Sequence, residues 1–478
     1  MQYETVIGLE THAHFLTRSK MFCGCRTAFG AAPNTQTCPV CQGLPGVLPV
    51  VNRHAVELGL RTAVALRCKI APITQFDRKN YYYPDLPKNY QISQNYNNLG
   101  VDGRLEIEVA GETKEVGIWN VHLEEDAGKL EHPEDTGANY TAVDLNRAGT
   151  PLLEIVSAPD LRSAAEANAY MTELAALLRH LDISDCKMEE GSLRFEAGIS
   201  VRPAGSEAFG NRVEVKNLNS MSAVVRAIEY EQQRQIGVLE SGGAVPSQTM
   251  LWNVQRGATE PMRSKEEAKD YRYFPEPDLV PIEIGEEWLE RIRKEMPELP
   301  SARRKRFIAE HGLPPYDAGV LVEHKTIAQY FEDCVKEGVE PKTAANWIMG
   351  EVMRELNERK CEVGDLPVSP PMLAELIGLV TDGRISNNVG KDVFSEMCAT
   401  GKNAAEIVEE KGLAQISDSG ELESVIRGVL DDNPDAVADL KSGRQQAKGF
   451  LIGQVMRATK GKANPKLAGE LIDGLVAD

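Results

Sequence analysis

The chain has 478 residues, 42% of them hydrophobic and 26% charged, and a formal net charge of -19. This length exceeds what one hydrophobic core supports, and the composition excludes the disordered and fibrous classes of protein. The apolar runs are shorter than the roughly 18 residues that a membrane helix needs, and the N-terminus carries acids where a signal peptide is basic. We therefore expect a cytoplasmic protein without a membrane segment. The acidic balance also argues against nucleic acid as a partner, except at a local basic patch.

The predicted elements divide the chain into a mixed N-terminal part and a helical remainder. Short apolar runs separated by Gly, Pro and Asn predict strands and loops, interrupted by helices at 163–181 and 222–239. From residue 286 onward the spacing predicts successive amphipathic helices. We expect an α+β protein with three domains: a mixed α/β domain with an antiparallel sheet at 1–290, a helical domain at 291–404 and a small all-helical tail at 405–478.

Four of the nine cysteines lie close together at residues 22–42, FCGCRTAFGAAPNTQTCPVCQ. Cys23 and Cys25 form a C-x-C pair, and Cys38 and Cys41 follow twelve residues later as C-x-x-C. Two such pairs can supply four thiolates to a tetrahedral Zn²⁺, so the segment predicts a zinc-binding loop. Four thiolates leave no open position, and this zinc would be structural. The alternatives are a redox or disulfide pair, which is rare in the cytosol, and unliganded thiols.

The segment GLETHAHF near the N-terminus predicts a strand with a polar face. Side chains alternate along a strand, so Glu10, His12 and His14 share one face. A single histidine on such a face is usually structural. Burying a glutamate and two histidines without partners is costly, which favours a polar cleft here.

A second acidic segment, VHLEEDAGK at 121–129, has two interpretations. Alone it is an ordinary solvated charge run. If extended, it places His122, Glu124 and Asp126 on one face and Glu125 on the other. Clusters of oxygen ligands suit Mg²⁺, whereas a histidine in such a set would orient a carboxylate or favour Mn²⁺. Further candidate carboxylates are Glu189, Glu190, Glu196 and Glu214.

The sequence lacks two common catalytic motifs. It contains neither the P-loop pattern G-x-x-x-x-G-K-[ST] nor a G-x-S-x-G elbow. Any use of ATP would therefore follow another scheme.

Two further segments have a composition suited to nucleic acid. RKNYYYPDLPKNYQISQNY interleaves five tyrosines with Arg78, Lys79 and Lys88, which would stack unpaired bases while cations meet phosphate. A proline-ordered loop that packs its aromatic rings on the core is the alternative. Residues 441–466 contain seven basic residues and no acidic one, which indicates either a nucleic-acid patch or a solvated basic face. Pro434, Gly443 and Pro465 fall where the tail helices should break.

Eight segments together resemble the B subunit of the aspartyl/glutamyl-tRNA amidotransferases, and they occur in that family's order. They are IGLETHAHF, FCGCRTAFGAAPNTQTCPVCQGLPGVLPV, FDRKNYYYPDLPKNYQISQ, HLEEDAGK, DLNRAGTPLLEIVSAPD, EEGSLRFEAGISVRP, VEVKNLNS and RSKEEAKDYRYFPEPDL. The resemblance covers the whole chain. It is most specific over residues 3–281, while the rest matches mainly in layout and length.

The resemblance implies an ATP-dependent ligase whose residues 1–290 form a catalytic cradle domain. Such a protein phosphorylates the side-chain carboxylate of Glu-tRNA(Gln), of Asp-tRNA(Asn) or of both, and then displaces the phosphate with ammonia. Activation is needed because a carboxylate is a poor electrophile, and Mg²⁺ would neutralise charge on the phosphoryl oxygens. The resemblance places ATP, Mg²⁺ and catalysis at Glu10, His12, Glu124 and Glu125, with Glu214 behind them.

Two more catalytic residues follow from the resemblance. Lys79 and Tyr81 would lie near the ammonia entry or near the charged 3′ end of the tRNA. The sequence departs from the family pattern at Phe195 and Glu196, where a Cys-Asp pair is usual, and at His14, where Gln is usual. A metal role for Glu196 is doubtful on this ground, because its side chain is longer by a methylene.

The resemblance also implies partners. The chain lacks an amidase signature, so a glutaminase A subunit would supply ammonia through an internal tunnel, and a small C subunit would complete a heterotrimer. The misacylated tRNA(Gln) or tRNA(Asn) would bind the tail at 405–478. The alternative from another functional class is a zinc-containing tRNA-binding scaffold whose carboxylates perform no chemistry.

Overall fold

The computed structural model describes residues 2–131, 140–262, 271–414, 419–459 and 463–477. It consists of two compact units, Met1–Arg303 and Arg304–Asp478. The first unit combines strands with helices and the second is helical, which confirms the predicted α+β class. Within the described ranges, no helix is both long enough and apolar enough to cross a membrane.

In its described residues, the first unit contains short and long strands and four complete helices. The strands are β1 Tyr3–His14, β2 Lys69–Ile70, β3 Ile73–Thr74, β4 Asp77–Asn80, β5 Tyr90–Ser93, β6 Gly100–Val109, β7 Glu112–Glu125, β8 Lys129–Glu131, β9 Ala142–Asp144, β10 Pro151–Ser157, β11 Leu193–Pro203, β12 Val213–Lys216, β13 Gln248–Asn253, β14 Ala258–Pro261, β15 Phe274–Pro275 and β16 Ile282–Glu283. The helices are α1 Arg53–Ala65, α2 Ala164–His180, α3 Met221–Glu240 and α4 Glu286–Glu295.

One large sheet organises the first unit. In the part of the chain that the structure describes, nine strands pair in the order β14-β13-β12-β11-β1-β10-β7-β6-β2. Neighbours are antiparallel except β12 and β13, which run parallel. The β6–β7 hairpin turns at Ala110 and Gly111, whose φ angles of 53° and 84° are those of a two-residue turn with both central positions left-handed. This hairpin carries the segment VHLEED toward the middle of the sheet.

Strand β1 lies in the interior of the sheet and separates an apolar face from a polar one. Leu9 and Ala13 are buried, whereas Glu10, His12 and His14 are partly exposed on the opposite face. The apolar face belongs to the main core of the unit, which α2 and α3 complete by packing on β6 and β11. The predicted strand with a polar face is confirmed.

Helix α2 shows why the helices begin where the sequence predicts. Ser163 is its N-cap, and the Ser163 Oγ accepts a hydrogen bond of 3.1 Å from the Glu166 backbone N–H, an otherwise unpaired donor. Tyr170 and Leu174 are fully buried on the side that faces the sheet. Both helices predicted in this unit are confirmed.

The remaining helices follow one another through the second unit, with α5 beginning just before it. They are α5 Pro300–His311, α6 Pro315–Val322, α7 Lys325–Lys336, α8 Pro341–Trp347, α9 Met353–Arg359, α10 Pro370–Thr381, α11 Asn387–Thr400, α12 Ala404–Glu410, α13 Ser419–Asp432, α14 Pro434–Lys441, α15 Gln445–Ala458 and α16 Pro465–Ala477. A π-helical turn at Ile348–Val352 joins α8 to α9.

Among its described residues, the second unit has two buried apolar clusters, one within residues 307–408 and one within 422–476. Pro434 begins α14, Pro465 begins α16, and Gly443 adopts a φ of 90° just after α14 ends. The three predicted helix breaks are therefore confirmed. The domain limits at 290, 404 and 405 stay predictions.

Candidate active site and metal centres

The polar face of the large sheet carries titratable side chains that the strand register sets opposite one another. Glu10 on β1 is the partner of Glu196 on β11, and His12 is the partner of Glu154 on β10. Glu154 is in turn the partner of His122 on β7. Cross-strand partners have Cβ atoms about 4.5–5.5 Å apart. Residues far apart in the sequence therefore form two adjacent groups.

The first group consists of His12, Glu124 and Glu154, which offer ligand atoms within 4.8 Å of one another. His12 Nε2 lies 3.3 Å from Glu154 Oε2 and 3.8 Å from Glu124 Oε1. His122 Nε2 lies 3.2 Å from Glu154 Oε2, and Ser93 Oγ donates to Glu124 Oε2 at 3.1 Å. Two carboxylates and one imidazole at this spacing fit a divalent cation such as Mg²⁺ or Mn²⁺.

The electrostatics of the first group favour positive charge. Burial lowers the pKa of His12, but its hydrogen bond with Glu154 and the charges of Glu154 and Glu124 prevail and raise the pKa to about 9. Burial also lowers the pKa of His122, but the charge of Glu154 and smaller contributions outweigh burial and raise it. Burial alone would raise the pKa of Glu154, yet the two histidines hold it well below its usual range. A bound cation would satisfy the same carboxylates.

The second group consists of Glu10, Glu196 and Glu214, again with carboxylate oxygens within 4.8 Å of one another. Lys216 Nζ lies 2.7 Å from Glu196 Oε2 and 3.3 Å from Glu214 Oε1, and Arg212 Nη2 lies 2.6 Å from Glu10 Oε1. Burial raises the pKa of Glu196 against the charge of Lys216. Burial would also raise the pKa of Glu214, but the charge of Lys216 and smaller contributions lower it. All three ligands are oxygens, which Mg²⁺ prefers.

Glu125 lies apart from both groups. Its side chain points to the opposite face of β7, where it forms an ion pair with Lys88 and accepts a hydrogen bond of 3.0 Å from the Ile92 backbone N–H. Lys88 and Glu125 both border a cavity of about 200 Å³. Cys23 and Cys41 of the cysteine loop at 22–42 also line this cavity. The alternation along β7 is the physical reason for the separation.

Asp126 shares the face of Glu124 but is surrounded by basic side chains. Arg194 Nη2 and His14 Nε2 each lie 2.7 Å from Asp126 Oδ2, and Arg147 Nε lies 3.4 Å from it. Burial would raise the pKa of Asp126, but the charges of Arg194 and Arg147 hold it well below its usual range. Asp126 therefore fixes the end of β7 by a partly buried ionic network rather than offering free ligand atoms.

The residues that the resemblance implies for magnesium thus occupy three places. His12 and Glu124 lie in the first group, and Glu10 and Glu214 lie in the second. Glu125 lies in neither.

Lys79 and Tyr81 lie beside the first group. The Lys79 Nζ is 5.1 Å from the ring centre of Tyr271 and 5.9 Å from that of Tyr81. Burial lowers the pKa of Lys79, but the charge of Glu124, followed by smaller contributions, reverses the shift and raises it. Tyr81 Oη donates to Gln91 Oε1 at 3.0 Å. Lys79 is therefore a fixed cation held by aromatic rings in the field of Glu124.

The four cysteines converge as their spacing predicts. The sulfur atoms of Cys23, Cys25, Cys38 and Cys41 all lie within 4.8 Å of one another, and those of Cys38 and Cys41 are 4.0 Å apart. A tetrahedral site with Zn–S bonds of about 2.3 Å places sulfurs roughly 3.8 Å apart. The donor set therefore fits zinc.

The charge around Cys41 also favours a thiolate. Its hydrogen bond with Cys23 leads the causes that lower its pKa to about 4, against the effect of burial. Lys20, which is fully buried, places its Nζ 3.5 Å from Cys41 Sγ and 3.2 Å from the Leu145 carbonyl oxygen. Lys20 thus connects a sulfur of the cysteine site to the loop before β10.

Two polar side chains fasten the cysteine loop. The Asn34 backbone N–H donates to Asp144 Oδ1 at 2.9 Å, and the Gln36 backbone N–H donates to Asn146 Oδ1 at 2.8 Å. Asn146 Nδ2 donates to the Ala32 carbonyl oxygen at 2.7 Å. Asp144 and Asn146 thus hold the cysteine loop against the segment that leads into β10.

Sequence reasoning missed Glu154, although it belongs to the first group. A signal is present, because Glu154 is the single charged residue in the apolar run PLLEIV of β10. A carboxylate inside such a run is costly unless it is paired, which marks it as a functional candidate. Its partners could not be found this way, because they lie on other strands.

The basic stretch at 441–466 is partly neutralised in the structure. Arg444 Nη1 lies 2.9 Å from Asp439 Oδ1, and Lys448 Nζ lies 2.5 Å from Asp473 Oδ2. Lys460 and Lys462 lie outside the described residues, as do residues 263–270 of the segment RSKEEAKDYRYFPEPDL. The basic patch stays a prediction.

Comparison with known proteins covers nearly the whole chain. Residues 5–290 match the family model described as the GatB/GatE catalytic domain, and residues 329–475 match the GatB domain. The B subunit of the aspartyl/glutamyl-tRNA(Asn/Gln) amidotransferase of Moorella thermoacetica is 57% identical over 472 residues, 99% of either chain. Proteins of the same name from Caldanaerobacter subterraneus and Thermoanaerobacter sp. are 55% and 54% identical over the same share.

Proposed function

The chain belongs to the family of the B subunits of the aspartyl/glutamyl-tRNA amidotransferases, and from this premise we propose that the polar face of the large sheet catalyses phosphoryl transfer from ATP. The protein is one subunit of a tRNA-dependent amidotransferase, a ligase complex that uses ATP. The observation that carries the proposal is the register of β1, β10 and β11, which gathers two groups of carboxylates on one face.

The reaction begins with activation of the acceptor. A side-chain carboxylate oxygen of Glu-tRNA(Gln) or Asp-tRNA(Asn) attacks the γ-phosphorus of ATP, and the bond to the β-phosphate oxygen breaks to release ADP. Ammonia then attacks the carbonyl carbon of the acyl phosphate, inorganic phosphate leaves, and the nitrogen loses a proton as the amide forms. The first step brings anions together, so positive charge is its main requirement.

The two groups divide the metal ligands between them. His12, Glu124 and Glu154 would hold one divalent ion, and the second group defined above would hold another. When bound, Mg²⁺ neutralises charge on phosphoryl oxygens and aligns them for in-line transfer. The all-oxygen group suits Mg²⁺ best, and the group with His12 accepts Mn²⁺ as well.

The neighbouring side chains orient these ligands. His122 and Ser93 hydrogen-bond Glu154 and Glu124 and fix their oxygens, as partners outside the ligand set do in other metal sites. Lys79 places a fixed positive charge in the field of Glu124, where it would stabilise the phosphorylated acceptor. Tyr81 helps to hold Lys79 in place.

The remaining assignments concern zinc and partners. Cys23, Cys25, Cys38 and Cys41 would bind a structural Zn²⁺ that stabilises the loop bordering the Lys88–Glu125 cavity. The family name implies a complex with other subunits and tRNA. Ammonia would come from a glutaminase A subunit, a small C subunit would complete the heterotrimer, and the tail at 405–478 would bind tRNA.

The test is ADP release by the reconstituted complex with ATP, Mg²⁺ and misacylated tRNA. Glu124→Gln should lower the rate by at least about 100-fold, because it weakens a ligand of the divalent ion that would neutralise charge on the transferred phosphoryl group. Glu115→Gln is the matched control, since Glu115 lies on the same strand, is exposed and pairs with Arg67. Both variants should bind tRNA as the native chain does.

Two outcomes would contradict this assignment. Unchanged ADP release in Glu124→Gln would favour a tRNA-binding scaffold whose carboxylates are not catalytic. An equal loss in Glu125→Gln would join Glu125 to the phosphoryl-transfer site, against its position on the other face of β7.

A further inference from the structure

Arg194 of β11 lies between the two carboxylate groups. It is the register partner of His12 in the first group. It also precedes Glu196 of the second group on the same face of β11, so that their Cα atoms are about 7 Å apart. The charge of Asp126 is the main cause that raises the pKa of Arg194. Burial lowers this pKa, and the charges of Glu124 and Glu196 raise it further, so Arg194 is a permanent cation in the field of both groups.

Most of the hydrogen-bonding capacity of Arg194 is unused within the described part of the chain. A guanidinium carries several N–H donors in a fixed fork. The structure gives Arg194 one hydrogen bond, from Nη2 to Asp126 Oδ2 at 2.7 Å. The Nε is buried without a partner, although the side chain as a whole is 38% exposed. Buried polar groups usually have partners, so these unused donors indicate a site that an anion completes.

Arg147 shows the contrasting case of an arginine that serves the backbone at the same carboxylate. Its Nε lies 3.4 Å from Asp126 Oδ2 and donates to the Ala127 carbonyl oxygen at 3.0 Å. Its Nη2 donates to the Gly128 carbonyl oxygen. These bonds hold the segment that follows β7. The two arginines therefore differ in role, although both contact Asp126.

The other cations near the two groups are less suited to a substrate carboxylate. Lys216 and Arg212 pair with carboxylates of the second group. Lys79 lies beside aromatic rings and presents a single point charge. A guanidinium instead offers parallel N–H donors, the geometry that matches the two oxygens of a carboxylate. Among these described cations, Arg194 best fits a second, transient carboxylate.

We propose that Arg194 binds the side-chain carboxylate of the misacylated amino acid and holds it for phosphorylation. The inference rests on the proposed function, which brings the γ-phosphate of ATP to the two carboxylate groups. One carboxylate oxygen attacks the γ-phosphorus, a new O–P bond forms, and the bond to the β-phosphate oxygen breaks. The other oxygen, held by Arg194, becomes the carbonyl oxygen of the acyl phosphate. When ammonia adds to the carbonyl carbon, negative charge develops on this oxygen, and the guanidinium stabilises it until phosphate leaves.

The first experiment compares two conservative variants in ADP release by the reconstituted complex with saturating misacylated tRNA. Arg194→Lys should lower kcat about tenfold or more, because it keeps a positive charge near Asp126 but loses the fork. Arg147→Lys makes the same change at the same carboxylate and is the matched control, with a kcat within about threefold of the native value. The KM for ATP should be unchanged in Arg194→Lys, because the nucleotide loses no contact.

The second experiment measures binding without ATP and so separates a substrate contact from a structural role. A misacylated tRNA and its amidated product differ in one negative charge, that of the side-chain carboxylate. The native complex should bind the misacylated form more tightly, by about tenfold, because a charge-assisted hydrogen bond contributes about 1.5–3 kcal/mol. Arg194→Ala should abolish this preference and leave the affinity for the amidated tRNA unchanged.

The outcomes that would overturn the inference are distinct from a failure of the proposed function. Equal losses of kcat in Arg194→Lys and Arg147→Lys, or a native preference that persists in Arg194→Ala, would leave Arg194 with a structural role beside Asp126. A raised KM for ATP with an unchanged tRNA preference would assign Arg194 to the γ-phosphate instead. If the native complex released no ADP, the proposed function itself would fail, and the binding comparison would still decide the role of Arg194.

Discussion

Glu124, Glu125 and Asp126 are consecutive in the sequence and buried, yet they occupy three different environments. Glu124 faces Glu154 with histidines between them, and Ser93 is its hydrogen-bond donor. Glu125 and Asp126 are each matched by basic side chains, Glu125 by Lys88 and Asp126 by two arginines and a histidine. What distinguishes a candidate ligand from a structural carboxylate is therefore the balance of charge around it rather than the number of acids nearby.

The largest loss of ADP release is expected where negative charge exceeds fixed positive charge. Glu154→Gln should lower ADP release by roughly 10²–10³-fold, because it removes the carboxylate that both His12 and His122 contact. The Mg²⁺ concentration for half-maximal rate should rise in the same variant. Glu260→Gln on the edge strand β14 is the control, and an equal loss there would show a general effect on the sheet.

The opposite behaviour is expected of Asp126. Asp126→Asn would leave the partly exposed Arg194 and Arg147 without their buried counter-charge, and we expect a loss of about 2 kcal/mol in the free energy of unfolding of the first unit, because solvent screens the two guanidinium groups. Glu124→Gln should cost much less, because this carboxylate pairs with a histidine rather than with two arginines. Denaturant unfolding of the full chain measures both. Equal losses would mean that charge balance does not separate the two residues.

Local pattern predicts part of this site and long-range pairing determines the rest. The polar face of β1 and the separation of Glu125 from Glu124 both follow from side-chain alternation, which is a local property. The partnership of His12 with Glu154 joins residues more than 140 positions apart and is set by the register of β1 on β10. Glu154 itself lies in an apolar run that otherwise predicts only a buried strand.

The resemblance and the strand geometry lead to different expectations at this site. The resemblance assigns Glu124 and Glu125 to the same magnesium site, whereas adjacent side chains of a strand point to opposite faces. The four cysteines need no long-range information, because their spacing alone specifies the loop.

A smaller effect is expected at the cysteine site, where a buried lysine is matched by a thiolate. Lys20→Met should weaken zinc binding about 10–100-fold, because the Nζ donates to Cys41 Sγ and joins it to the Leu145 carbonyl oxygen. Zinc transfer from the full chain to a chromogenic chelator measures this. Lys69→Met, which removes an exposed lysine paired with Asp102, is the control. Equal zinc retention in the two variants would leave Lys20 with a packing role only.

The smallest predicted effect concerns the stability contributed by Glu57, a carboxylate near the surface that is paired with an arginine. Hydrogen bonding from Arg291 is the main reason that the pKa of Glu57 falls from 4.5 to about 2, against the effect of burial. A carboxylate whose pKa is lower in the folded chain than in the unfolded chain contributes its full stabilisation when the pH is above the unfolded pKa. This stabilisation is lost as the pH falls from about 4.5 through about 2. Because Arg291 is 40% exposed, solvent screening limits the contribution to roughly 1 kcal/mol. Glu57→Gln should therefore reduce the acid sensitivity of α1 and α4 in that pH range, measured as the difference between unfolding free energies at pH 5 and pH 3. The same slope in both proteins would show that this pair contributes nothing, and that only buried carboxylates such as Asp126 govern stability in acid.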